Sequence, residues 1–129
     1  MAWKIEDAEE IGADLESIFE HLHASHVAFG HSRADAVRLA VERVRRIDRA
    51  RDRLAQTPHL GTRHDLGGLG LRHVTLDRAI YWFELREESR TIRFLGIFHG
   101  GQEHWARMAD RLSRQGEGQG GPADAPPAR

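Results

Sequence analysis

At Thr57-Pro58 the hydrophobic pattern changes from a long helical stretch to strand-like runs, and that switch limits the chain to folds in which a helical part covers a sheet part. Before it, Ile11, Leu15, Ile18, Phe19 and Leu22 fall at i, i+4, i+7, i+8 and i+11, one stripe of an amphipathic helix. Val37, Ala40, Val44, Ile47 and Leu54 keep the same period through a second stretch that ends at Gln56. Phe29-Gly30 closes the first helix, because glycine tolerates the left-handed cap conformation. Ser32, with Asp35 three residues on, opens the second in a capping-box arrangement, and Thr57-Pro58 stops it. Beyond the proline, residues 71–76, 79–85 and 91–98 are rich in β-branched and aromatic side chains. Asp77-Arg78 and residues 87–90 separate them at hairpin lengths, which predicts a three-stranded antiparallel meander.

Residues 3–6 read as a short first strand, and Trp105, Met108, Ala109 and Leu112 return to helical spacing after Gly100-Gly101. The predicted order is β-α-α-β-β-β-α, an α+β domain with a helical hairpin packed on a small antiparallel sheet. Gly61, Gly67, Gly68 and Gly70 read as a loop. Along the last strand Ile92, Phe94, Gly96 and Phe98 are expected on one face, with Arg93 and Ile97 on the other. Residues 115–129 contain four glycines, three prolines and no large apolar side chain, so a folded domain over 1–114 with a flexible tail over 115–129 is expected. Charge is segregated: residues 1–31 carry seven acids and one base, and residues 32–64 carry nine arginines and four acids. An acidic first arm beside an arginine-rich second suits the hairpin, but exposed ion pairs contribute only about 0–1 kcal/mol each. The apolar seam must therefore hold the two helices together.

A chain of 129 residues is one domain's worth, and the absence of cysteine removes disulfides, thiolate nucleophiles and Cys-ligated metal sites. The nine histidines form no convincing ligand spacing, so neither a metal nor a cofactor is expected. Residues 79–83 are the longest uncharged apolar run, and the first residues lack a secretory pattern; a cytoplasmic protein with no membrane association is expected. Walker A, dinucleotide-binding, His-Glu-x-x-His and Gly-x-Ser-x-Gly motifs are all missing.

What remains is the stretch from Leu71-Arg72, through Arg78-Ala79-Ile80-Tyr81, to the apolar strand ending in His99-Gly100. With Asp14-Leu15-x-x-Ile18 in the first helix and Pro58-x-x-Gly61 after the second, this order resembles the RelE/ParE superfamily, the toxins of type II toxin–antitoxin pairs. The resemblance covers roughly residues 3–112 and implies two target classes. RelE-like members cleave messenger RNA in the ribosome, with the RNA 2′-hydroxyl as nucleophile. ParE-like members poison DNA gyrase and carry no cleaving chemistry. A net charge of −1, the single lysine Lys4, Gly100-Gly101-Gln102-Glu103 where the nucleases are basic, and the His99-Gly100 ending favour the ParE-like reading. The resemblance further implies a cognate antitoxin as partner, in a hetero-oligomer, with DNA gyrase as target; ribosome and mRNA are the alternative, and a non-toxic binding protein on the same fold is a third reading.

Arg72, Arg78, Tyr81 and His99 are the candidate target-binding residues, and Arg78 and His99 the catalytic ones under the nuclease reading alone. The planar guanidinium of Arg78 suits a phosphate or target contact, against the reading of a solvated turn residue. Arg72 fits better as a tie for the glycine loop. Arg93, between apolar neighbours, is expected to pair with a carboxylate on the first helix. His99 suits general acid–base work, against a satisfied strand-end histidine. Tyr81 could stack on a base, although Trp82 and Phe83 beside it point to the core, and Trp105 is expected to anchor the last helix.

Overall fold

The computed structural model describes residues 2–66, 69–100 and 104–124; the side chains of 65, 66, 69 and those from 115 onward are outside the described set. The elements are β1 (Lys4–Asp7), α1 (Glu10–Ala28), α2 (Arg33–Gln56), β2 (Thr62–Leu66), β3 (Leu69–Leu76), β4 (Ala79–Arg86), β5 (Thr91–His99) and α3 (His104–Asp124). The α+β class and the helical hairpin on a sheet are as expected. The sheet has five strands in the order β1-β5-β4-β3-β2, antiparallel except for the parallel pair of β1 and β5.

The segment expected to be a loop is instead the hairpin of β2 and β3, in register from Thr62 opposite His73 to Leu66 opposite Leu69; Gly67 and Gly68 lie outside the described residues. Thr62-Arg63-His64 has no apolar alternation, so it is a strand through pairing and not through its own pattern. Gly61 makes the approach possible: its φ is +90°, and an added Cβ would lie 2.4 Å from the His73 carbonyl oxygen. The tail expected over 115–129 falls on undescribed side chains, with the backbone helical to Asp124 and 125–129 outside the described residues.

Ser32 caps α2 by accepting the Asp35 N–H at 3.1 Å. The hairpin covers one face of the sheet: Ile11, Ile18, Ile47 and Leu54 pack on Tyr81, Phe83, Ile92, Phe94 and Ile97. Ala36 and Ala40 are fully buried, whereas Val37 is 42% exposed, so the buried stripe of α2 begins one residue earlier than the apolar spacing suggests. Among the described residues no ion pair joins α1 to α2, contrary to the charge-segregation expectation. Arg51 instead binds Asp7 and Asp48, Arg38 binds Asp35 and Glu42, and Arg43 binds Asp77. The seam is apolar, worth about 1.5–3 kcal/mol per fully buried large side chain.

The second face holds Leu71, Ile80, Trp82, Leu95, Phe98 and, from α3, Met108. Phe98 is therefore not on the face of Ile92 and Phe94, and Ile97 is. The reason is a bulge: Phe83 pairs with Phe94 and Trp82 with Gly96, so Leu95 is an extra residue and the alternation inverts there. Met108 anchors α3; Trp105, the expected anchor, is 54% exposed and only rests its ring edge on His64, His73 and Trp82. No described helix is long and apolar enough to cross a membrane.

Candidate functional site

The connection between β3 and β4 is a two-residue turn in which both residues have positive φ, Asp77 at +53° and Arg78 at +71°. Such a turn matches the twist of the flanking strands and is normally supplied by Asn-Gly or Asp-Gly. An arginine in the second position costs about 1–2 kcal/mol of backbone strain. The surroundings hold it there. Arg43, from the middle of α2, donates to the Asp77 carboxylate at 3.0 Å and to its carbonyl at 2.6 Å, and Gly100 N–H donates to the Arg78 carbonyl at 3.0 Å.

Behind the turn, a groove of about 450 Å³ lies between the C-terminal half of α1, α2 and the end of β5. Its lining includes Arg78, His99, Arg43, Arg46 and His26. Arg78 is exposed at the mouth, and His99 is half-buried beside Ala79, its register partner on β4. Burial first, then the positive fields of Arg43, His21 and Arg78, lower the His99 pKa, with Asp77 opposing. A histidine so placed is neutral near pH 7 and equipped to accept a proton rather than to donate one. Three arginines face two carboxylates, Glu42 and Asp77, so the groove is only mildly basic.

The structure thus brings together two of the four candidate residues, Arg78 and His99. Arg72 lies elsewhere: it pairs in register with Arg63 and Phe83, on the order of 15 Å along β3 from the turn. Its guanidinium donates to the His59 carbonyl at 3.0 Å, tying the segment after α2 to the sheet. Tyr81 is not a stacking surface. It is 1% exposed, and its hydroxyl donates to the Ile47 carbonyl at 2.7 Å, because the odd positions of β4 face the helical hairpin. Arg93 is structural as expected, but its partner is Glu6 on β1 at 2.5 Å and not a residue of α1. The parallel strand β1, in register Glu6 opposite Arg93, comes between them.

Burial raises the Tyr81 pKa from 10.0 to about 12. The folded state therefore keeps a proton that the unfolded chain loses, so stability present below pH 10 is lost as pH rises through 12. Tyr81→Phe should cost about 1 kcal/mol at pH 7 through the lost hydrogen bond. It should also flatten the decline above pH 10 in denaturant titrations; an unchanged alkaline profile would exclude Tyr81 as its source.

Arg43, Arg46 and His26 escaped the sequence reading. The available signal was the spacing of Arg43 and Arg46 around Ile47: residues flanking a buried helical stripe border whatever the helix covers.

No family model matches the sequence, and no curated protein matches it. Solved structures do. A chain of the chromosomal ParDE TA system from P. aeruginosa matches with a TM-score of 0.56 at 19% identity, over 77% of this chain and 97% of that one. A chain of the archaeal RelE-RelB complex from Pyrococcus horikoshii OT3 gives 0.48 at 16% identity, over 79% and 99%. One of the toxin-antitoxin complex RelBE2 from Mycobacterium tuberculosis gives 0.47 at 13%, over 77% and 99%. The class defined by element order, sheet topology and the first of these matches is the α+β RelE/ParE-like fold.

Proposed function

We propose that the chain is the toxin of a type II toxin–antitoxin pair, neutralised by a cognate antitoxin, and that it acts in the ParE manner on DNA gyrase in the cytoplasm. The observation that carries this reading is the Arg78 turn. In a fold shared with a chain of a ParDE system, a residue is kept in a strained backbone at the mouth of a groove, its turn held by Arg43 of α2 through Asp77 and by the Gly100 N–H that follows β5. Strain of this kind, maintained by its surroundings, is characteristic of residues that serve a site. The near balance of charge in the groove favours a protein target over RNA, since few phosphates would be neutralised and little counterion release gained.

The ribosome-dependent nuclease is the second reading, favoured by one observation: Arg78 and a neutral His99 share the groove. There His99 would take the proton of a 2′-hydroxyl and Arg78 would stabilise the phosphate.

Expression of the chain alone should arrest growth, and co-expression of the adjacent small gene should restore it. Purified protein should inhibit gyrase supercoiling; codon-linked cuts in primer extension with supercoiling intact would select the nuclease instead. Arg78→Gly gives the sharper test. Glycine relieves the positive φ, so the variant should be as stable as the parent or about 1 kcal/mol more so. It should nevertheless lose the growth arrest. Full toxicity in Arg78→Gly would remove Arg78 from the site.

A further inference from the structure

Two sets of three stand out among the eight arginines of α2. Arg38, Arg43 and Arg51 are ion-paired. Arg46, Arg49 and Arg53 are exposed, and among the described residues none of them makes an ion pair. These three line a second groove of about 350 Å³ between α2 and the β3–β4 turn, whose lining includes Ala50 and Leu76. It meets the Arg78 groove, because Arg46 and Asp77 line both.

We infer that this trough is a docking surface for an acidic segment of a partner protein, one whose carboxylates alternate with apolar side chains. Spacing supports that occupant. Residues three and four apart on a helix stand about 5–6 Å from one another, so Arg46, Arg49 and Arg53 form an evenly spaced row about 10 Å long. Alternate residues of an extended chain are about 6.6 Å apart and point the same way. Three carboxylates of such a segment therefore face the three guanidiniums of the α2 wall, while the intervening apolar residues point the opposite way, toward the Leu76 side of the trough. Bidentate arginine–carboxylate pairs beside apolar side chains bind more strongly than solvated ones. Single-stranded nucleic acid fits less well. It gains much of its affinity from aromatic platforms, and the one aromatic lining residue, Tyr81, has its ring in the core. The trough keeps this chemistry whether or not the chain is toxic, and a cognate antitoxin bearing such a segment would be one instance.

The test is fluorescence anisotropy of the full chain with a labelled ten-residue peptide alternating Glu and Leu, beside its Gln–Leu counterpart and a ten-nucleotide oligouridylate. The Glu–Leu peptide should bind, and should weaken about tenfold or more when salt is raised from roughly 0.05 to 0.5 M. The Gln–Leu peptide should bind at least about tenfold more weakly. R46E/R49E/R53E should abolish binding with an unchanged melting curve. Should the triple variant fail to fold, R49Q/R53Q replaces it, with a loss of about tenfold expected. Arg114→Glu, on the opposite helix α3, should leave binding intact. Absence of peptide binding, equal binding of the Gln–Leu peptide, retention in the folded variant, or oligouridylate binding tighter than the peptide would each overturn the assignment.

Discussion

Asp14→Ala should destabilise the protein by about 3–5 kcal/mol, the usual result of breaking a buried ion pair from one side. Asp14 is 7% exposed, on the buried stripe of α1 between Ile11 and Ile18. It accepts from Arg111 of α3 at 2.5 and 2.8 Å, and from the backbone N–H of Ile97 at 2.9 Å. Arg111 in turn donates to the Leu95 carbonyl at 3.2 Å and lies over the Phe98 ring at 5.0 Å. The need for this clasp follows from strand lengths. β1 pairs with β5 only as far as Asp7 opposite Phe94, so the outer edge of β5 is left without a neighbouring strand from Leu95 onward. The ion pair takes the place of that strand for the Ile97 N–H and the Leu95 carbonyl, at the bulge itself. It also joins α1, on one face of the sheet, to α3 on the other. Alanine at 14 leaves a buried guanidinium without its anion and a backbone N–H without an acceptor. A guanidinium remains charged at any pH a folded protein meets, so deprotonation gives no escape. With total stabilities of domains at about 5–15 kcal/mol, the variant should be marginal. Arg111→Met should cost a similar amount alone. Paired with Asp14→Ala it should cost clearly less than the two single losses added, because the double variant buries no unpaired charge. Chemical denaturation of the four proteins measures this, and additive losses would show that the two residues act independently.

Asp14 also illustrates what the sequence could disclose. The Asp14-Leu15-x-x-Ile18 pattern was visible as a family-like motif, yet a carboxylate on an apolar stripe has no readable partner until α3 and the β5 edge are assembled around it. The helical hairpin was legible because Ile11, Ile18, Ile47 and Leu54 repeat at 3.6 residues and Ser32 and Pro58 bound the second helix. The face of Phe98 was not, since a bulge shifts the alternation by one residue and leaves composition untouched. β2 was hidden because its strand character depends on His64 packing against His73 and Trp82 from the neighbouring strands. In the candidate site, Arg78 and His99 were legible as the ends of adjacent strands. Arg43 and Arg46 became site residues only through the crossing of α2 over the β3–β4 turn, a relation between elements about 35 residues apart.

Acidification from pH 7.5 to 5.5 should weaken the docking of α3 and lower stability by about 1–3 kcal/mol, the cost of leaving the buried Trp82 indole donor unsatisfied. His64 Nε2 and His73 Nδ1 share a hydrogen bond of 2.7 Å, and Trp82 Nε1 donates to His104 Nδ1 at 3.0 Å. The first survives while one of its two rings is unprotonated, since only two imidazolium rings have no acceptor between them, whereas a protonated His104 cannot accept from the indole at all. Around this cluster β2 contributes His64, β3 His73, β4 Trp82 and α3 His104 and Trp105. Burial, then the charges of His64 and His104, lower the His73 pKa below 6.5, and burial lowers that of His104. The unfolded chain therefore binds protons at a pH where the folded one resists them. The stabilisation is fully present above about pH 6.5 and is lost as pH falls through the depressed folded values. His99 adds a contribution of the same sign from the opposite face. Tryptophan emission of a Trp3→Phe variant reports the event, since Trp82 and Trp105 both touch the cluster while Trp3 lies against a separate imidazole, His59. His104→Gln separates the two hydrogen bonds, because glutamine offers an acceptor that does not titrate. In that variant the acid loss should shrink by more than half, whereas equal stability of the parent at pH 7.5 and 5.5 would show that the imidazole cluster does not hold α3.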